Sequence, residues 1–288
     1  VQAAVSTAGL AGSSPPGGGL ARCVSLYTVA VAAIAAGLFL GSGPISAEPI
    51  DKACSVPPEL SRFSEPLNAS RRALARGTRF RIVALGSSST EGTGASNPRT
   101  CYPAQLETEL NRRFSRAGHI EVVNLGVGGH LATDMIARID AEVASRSPTL
   151  VIWQTGVNDA IAGVPLDDFR MQLAQGIDAI RATGADLILL DLQYYPRSER
   201  VRGYRSYLQA MWQVGREKGV PVLKRHTYMK HLLDSRRYTA AQILAPDLFH
   251  LNDLSYRCLG HMVANAIESG VVAAEAAGQE RPTAVAAH

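Results

Sequence analysis

Apolar residues fall into two alternating patterns along this chain. Short, nearly unbroken apolar runs occur at Phe80-Arg81-Ile82-Val83-Ala84-Leu85, Glu121-Val122-Val123-Asn124, Thr149-Leu150-Val151-Ile152-Trp153-Gln154, Asp186-Leu187-Ile188-Leu189-Leu190-Asp191 and Val220-Pro221-Val222-Leu223. Runs of this length bounded by glycine or polar residues predict strands, and the most continuous of them predict strands buried on both faces. Between them the apolar positions recur every three or four residues, from Pro103 to Arg116, Leu131 to Ser145, Leu166 to Thr183 and Tyr204 to Lys218, which is the period of an amphipathic helix. A last helix is predicted through Tyr256, Leu259, Met262, Val263 and Ile267, with Asn252 or Asp253 as its cap. Strand and helix alternate, so the expected fold class is α/β, a three-layer α/β/α sandwich around a five-stranded, mostly parallel sheet.

In open sheets of this kind, ligands gather at the carboxyl ends of the strands. Three segments with suitable chemistry leave predicted strands at that edge: Gly86-Ser87-Ser88-Ser89-Thr90, Asn124-Leu125-Gly126-Val127-Gly128-Gly129 and Gly156-Val157-Asn158-Asp159. A fourth, Asp247-Leu248-Phe249-His250, precedes the last helix. A serine hydroxyl attacks an acyl carbon poorly until an imidazole removes its proton, and that imidazole must be held in one tautomer by an acceptor on its other nitrogen. Ser88, His250 and Asp247 fit those roles. The negative oxygen formed on attack needs donors aimed at it in advance. The Ser88 and Gly129 backbone N–H groups and the Asn158 side-chain amide are the candidates for this oxyanion hole. Asp159 reads as a turn or capping residue, and Gly126 and Gly128 as turn glycines.

These four blocks, in this order, resemble those of the SGNH hydrolases, also called GDSL esterases and lipases, which are named for Ser, Gly, Asn and His in successive segments. The matching positions are Ser88, Gly129, Asn158 and His250. The resemblance covers about Arg81 to His250 and implies a flavodoxin-like sheet and serine ester hydrolysis through an acyl-enzyme. One departure is visible: the family commonly has Asp directly before the nucleophile, and here that position is Ser87.

The composition allows one substantial core: 288 residues, 46% hydrophobic and 19% charged, with a net charge of +4. No Lys/Arg block interleaved with aromatics is present, so nucleic acid is not an expected partner. Residues 1–47 read as export machinery rather than fold. Arg22 precedes the apolar run Val29 to Leu40, and Ile45-Ser46-Ala47 resembles a signal-peptidase site. Residues 1–21, rich in Gly, Ala, Ser and Pro, read as an unstructured extension. The expected layout is thus a signal with its extension (1–47), an N-terminal arm (48–79), the hydrolase domain (80–272) and a flexible tail (273–288). The expected location is periplasmic or secreted, with no stable membrane partner once the signal is cleaved. The alternative is a membrane anchor through residues 24–40, although the strictly apolar run is shorter than the roughly 20 residues a spanning helix needs.

Cleavage leaves Cys54, Cys101 and Cys258, which permit one internal bridge and one free thiol. Cys54–Cys258 is the favoured pairing, because it would tie the arm beside the catalytic loop, and Cys101 is a competing partner. No Cys/His spacing suggests a metal site. His226 and His231, in a predicted helix, read as surface or core histidines. Neither metal nor organic cofactor is called for. Nucleotide binding fits poorly, since Gly92 is followed by Thr93 and Gly94 where a phosphate-binding loop needs Lys and then Ser/Thr.

Substrate signals lie after the fourth strand, in a stretch dense in Tyr and Arg. Tyr194, Tyr195 and Arg197 are its candidate substrate-binding residues, since Tyr faces stack on sugars and Arg pairs with carboxylates or phosphates. No extended apolar lid stands out, which favours small acyl esters, such as acetyl groups on envelope polysaccharide. Two rivals remain: an O-acyltransferase on the same scaffold, and a non-catalytic carbohydrate-binding module.

Overall fold

The computed structural model describes residues 50–116 and 118–279, all within one compact unit, Ala47–His288. The expected signal, residues 1–47, lies outside the described residues. Five strands form one sheet: β1 (Phe80–Gly86), β2 (Ile120–Gly126), β3 (Leu150–Gln154), β4 (Asp186–Leu190) and β5 (Val222–Leu223). Their spatial order is β2-β1-β3-β4-β5, and every neighbouring pair is parallel. The central strands are buried along nearly their whole length, as their continuous apolar runs require. β2, at one edge, is half exposed and keeps Glu121 and Asn124 among its apolar residues. β5 is shorter than its apolar run because Pro221 offers no N–H, while its carbonyl accepts from Leu189.

Numbering only helices of at least eight residues, α1 (Asn68–Arg76), α2 (Tyr102–Arg113) and α6 (Asp253–Gln279) pack together in one helical layer. On the other face lie α3 (Leu166–Ala182) and α4 (Tyr204–Lys218), while α5 (Arg225–Asp234) follows β5. Chain order takes β2 to one side of β1 and β3 to the other. A switch point therefore lies between β1 and β3, where the connections leave in opposite directions and open a crevice.

Three differences from the sequence-based expectation have physical causes. The stretch 131–145 is not one helix: it runs as Ala132–Ile136, a wide π turn Ile139–Val143 and a 3-10 turn Ala144–Arg146. Ala132, Met135, Ile139 and Val143 stay buried throughout, while Arg138 donates to the Leu125 carbonyl and pairs with Glu142. The arm contains a true helix, α1. Its first N–H groups are capped by Asp186, which accepts from Ala69 N at 3.1 Å and Ser70 N at 2.8 Å. The last helix runs past the expected boundary at residue 272, since α6 continues to Gln279 with Val271 and Ala274 buried on its inner face. Residues 280–288 lie outside the described residues.

The arm is fastened to α6 and to α5 and the segment after it. Cys54 and Cys258 are disulfide-bonded with a Cα–Cα distance of 5.1 Å, and Cys101 is a buried free thiol. Leu67 N donates to the Gly270 carbonyl, and Tyr228 and Tyr238 hydroxyls donate to the Cys54 and Ala53 carbonyls.

Candidate active site

β1 ends at Gly86, Ser87 is extended, and the chain turns at once into the short helix Ser88–Glu91. The turn lies against the end of β2 so closely that a Cβ on Gly126 would collide with the Glu91 backbone, which explains the glycine there. Ser87 points inward. Gln154, the last residue of β3, accepts from Ser87 N at 3.0 Å, Ser87 Oγ at 3.2 Å and Thr90 Oγ1 at 3.0 Å. Ser87, standing where relatives commonly have Asp, is thus a buried donor that fastens the turn to β3.

Ser88 Oγ is left facing the crevice, 2.9 Å from His250 Nε2. His250 Nδ1 lies 2.6 Å from Asp247 Oδ2, while Asp247 Oδ1 accepts from the Phe249 and His250 backbone N–H groups at 2.9 and 3.0 Å. Burial would raise the Asp247 carboxyl, but the bonds from His250 and the two backbone groups outweigh it and hold the acid below its ordinary value. The carboxylate therefore persists as an acceptor, which fixes the proton on Nδ1 and leaves the Nε2 lone pair toward Ser88. A bridge between Leu244 and Leu251 closes the loop at its base, and Ala245 N donates to the His250 carbonyl. Leu248 sits at its tip with φ +54°, a conformation that costs a non-glycine residue energy and that the Asp247 bonds impose.

The glycine and asparagine blocks are bound to each other. Asn158 Nδ2 donates to the His130 carbonyl at 2.9 Å, and buried Asp159 accepts from Ala132 N at 3.0 Å and Gly156 N at 3.2 Å. Asp159 is structural, as its sequence position suggests; burial raises its carboxyl even though these bonds pull the other way. Gly129 has φ +80°, and the preceding Gly128 lies beside Ser88 and Glu91. The turn carrying the Gly129 N–H is therefore next to Ser88, while the Asn158 amide, one N–H spent on His130, is held by the same loop. No group of three or more His, Cys, Asp and Glu side chains among the described residues is placed to hold a metal ion.

The three residues expected to bind substrate separate. Tyr195 is buried at 4% exposure, packed edge-on against Phe249 and Tyr204, so it supports the catalytic loop instead of offering a face to a sugar. Tyr194 packs on His226 and lies under Lys230 of α5. Arg197 alone of the three hydrogen-bonds the Asp247–His250 loop, through a 3.0 Å bond from Nη2 to the Asp247 carbonyl. His226 proves to be a core residue, its imidazole pushed down to about 4 by burial. Two residues that sequence reasoning passed over, Gln154 and Gln193, brace the nucleophile turn. Each is a lone amide at or just past the end of an apolar strand, and that was the available signal. A groove of about 750 Å³ is lined by Ala160, Ile161, Val164, Leu166, Arg202 and Tyr207. It contains none of the triad residues, so the site is assigned from the hydrogen-bond geometry.

A parallel 2-1-3-4-5 sheet with serine, glycine, asparagine and histidine blocks converging at its switch point places the chain in the SGNH/GDSL hydrolase superfamily. Within it, the chain belongs to the non-GDSL lipase-like family, matched over residues 53–273. A curated relative, the esterase TesA of Pseudomonas aeruginosa, is 32% identical over 88 residues, which is 30% of this chain and 44% of that protein. Among solved structures, a lipolytic G-D-S-L family protein from Desulfitobacterium hafniense is 25% identical with a TM-score of 0.54, covering 65% of this chain and 98% of its own. A two-domain esterase active on acetylated mannans is 20% identical with a TM-score of 0.60, covering 75% of this chain and 56% of its own, and shows likeness of fold.

Proposed function

We propose that the protein is a carboxylic ester hydrolase that uses Ser88, His250 and Asp247 as a catalytic triad and acts on small acyl esters. The observation that carries this reading is the unbroken chain from Ser88 Oγ to His250 Nε2 at 2.9 Å and from His250 Nδ1 to Asp247 Oδ2 at 2.6 Å. Ser88 Oγ attacks the ester carbonyl carbon as its proton passes to His250 Nε2. The Ser88 and Gly129 N–H groups and the Asn158 amide receive the developing oxyanion. Collapse breaks the bond to the alcohol, which leaves with the proton from His250. Water then attacks the acyl-enzyme, again giving a proton to His250, and releases the acid and free Ser88. Membership of a lipase-like family and the names of its esterase relatives support this chemistry.

The acyl group is proposed to be short and the substrate an acylated carbohydrate, whose hydroxyl is the leaving alcohol, as in the mannan esterase whose fold is similar. The groove beyond Asn158 offers room for a sugar chain, with Arg202 on its rim. Export through residues 1–47 is part of the proposal, and the Cys54–Cys258 bridge supports an oxidising compartment. The test is a chain-length series of chromogenic esters run beside acetylated glycans, with wild type and Ser88→Ala. The expected result is turnover that falls with acyl length and is lost in Ser88→Ala. Equal glycan binding by both proteins with no turnover would instead favour a binding module, and acyl transfer to added sugar in preference to water would favour an acyltransferase.

A further inference from the structure

Gln193 lies three residues past β4, fully buried, and its side-chain amide uses both ends. Ser89 Oγ donates to Gln193 Oε1 at 2.8 Å, and Gln193 Nε2 donates to the Phe249 carbonyl at 2.8 Å. Ser89 follows the nucleophile and Phe249 precedes the base. The direct Ser88–His250 bond and the Ser89–Gln193–Phe249 bridge thus form two adjacent rungs between the same two segments, one residue apart on each. We propose that Gln193 is a positioning residue that sets the distance across which Ser88 passes its proton to His250; the inference rests on the triad reading above.

The bonds around the base divide the work. Asp247 bonds to Phe249 N, His250 N and His250 Nδ1, and the Leu244–Leu251 bridge closes the loop base. All of these lie within the loop, so they orient the imidazole without fixing the loop against the nucleophile. Restraint from outside the loop comes from Gly94, which sits closely against Ala245, His250 and Leu251, and from the segment after β4: Gln193 on the Phe249 carbonyl, Arg197 on the Asp247 carbonyl, and the Tyr195 ring against Phe249 at 4.7 Å. Arg197 is exposed, whereas Gln193 is buried and its own carbonyl is held by the Tyr204 hydroxyl at 2.6 Å. An amide suits the task because it presents one acceptor and one donor at a fixed separation. Leucine would offer neither, and a carboxylate would turn an acceptor toward the Phe249 carbonyl.

The test compares full-chain wild type, Gln193→Leu, Ser89→Ala and their double variant. Steady-state rates on p-nitrophenyl acetate and inactivation by a fluorophosphonate are measured, with near-UV circular dichroism to confirm folding. Loss of the tie misplaces the base, so Gln193→Leu is expected to lower kcat roughly 10- to 100-fold with KM little changed. Inactivation should slow by the same factor, since that reaction needs Ser88 and His250 but no bound sugar. Ser89→Ala should show a smaller loss of the same kind, and the double variant should be no worse than Gln193→Leu, because both act through one contact. Wild-type kcat in folded Gln193→Leu, or losses that multiply in the double variant, would overturn the assignment. If Gln193→Leu does not fold, Ser89→Ala decides alone: a fall in kcat at constant KM supports the tie, and an unchanged kcat refutes it. Ser88→Ala runs as the control, since activity surviving there would refute the triad itself, independently of Gln193.

Discussion

At the carboxyl edge of the sheet, Ser88, Asn158, Gln193 and His250 arrive from four separate segments and are held by hydrogen bonds and ring packing, with the Asp247 side chain 47% exposed. On the helical layer that carries the arm, Cys54 is covalently joined to Cys258, and buried Glu109 takes bonds from Arg112, Arg113 and His261. The first region aligns groups proposed to exchange a proton, and the second joins helices to one another. Changes at the edge should therefore alter turnover and leave the fold, whereas changes in the helical layer should do the reverse.

The largest effect expected at the edge, short of removing the nucleophile, is in Asp247→Asn. The amide cannot enforce the tautomer that leaves Nε2 free, so kcat/KM should fall by up to ~10⁴-fold, with the thermal midpoint nearly unchanged. Steady-state kinetics beside thermal denaturation check this, and an unchanged rate would remove Asp247 from the triad. The corresponding break in the helical layer is Cys258→Ser. Opening a link across a sequence separation of 204 should cost about 4 kcal/mol of stability, below the loop-entropy ceiling because unfolded chains retain structure. Urea titration gives the stability, and turnover at 25 °C should stay near wild type. A loss of activity without a loss of stability would mean that the bridge serves the catalytic loop.

Asn158→Ala is a finer cut at the edge. It removes one of the proposed oxyanion donors, about 3 kcal/mol of transition-state stabilisation, and should appear in kcat more than in KM. It also breaks the bond to the His130 carbonyl, so Asn158→Asp, which keeps the shape and loses the donor, serves as its companion. The smallest effect belongs to Glu109. Burial would raise this carboxyl, but Arg112 and Arg113 hold it down at about 2 from an ordinary 4.5. A depressed acid contributes stability in full above its unfolded value and loses it as pH falls through the folded one. The window is thus about pH 4.5 to 2, and the contribution is about 2 kcal/mol after allowing for the exposed Arg112. Wild type should lose this margin on acidification, and Glu109→Gln should show a flatter profile.

How far the sequence was legible also divides by region. Strand ends and the Ser88, Asn158 and His250 blocks could be read because their signals are local: an apolar run stops and a reactive group follows. α1 could not, since the residue before it is Leu67 and its cap is Asp186, more than a hundred positions away. Tyr195 misled because a tyrosine in a polar loop looks exposed until Phe249 and Tyr204 are known to enclose it. Gln154 and Gln193 carry local signals too faint to separate from ordinary strand ends, and their meaning lies in partners 56 to 104 residues away. The break in 131–146 could not be read because its buried residues recur at spacings a single helix would also satisfy, while the Arg138 bond to the Leu125 carbonyl reaches another element.

The central claim, that Ser88 is a nucleophile activated by His250, is tested most directly by covalent capture. Wild type, His250→Ala and Ser88→Ala are treated with a fluorophosphonate, and the adduct is located by peptide mass spectrometry. One adduct on the Ser88 peptide of wild type, formed far more slowly in His250→Ala and absent from Ser88→Ala, is the predicted result; an esterase-active wild type labelled at another residue, or equally fast labelling without His250, would contradict it.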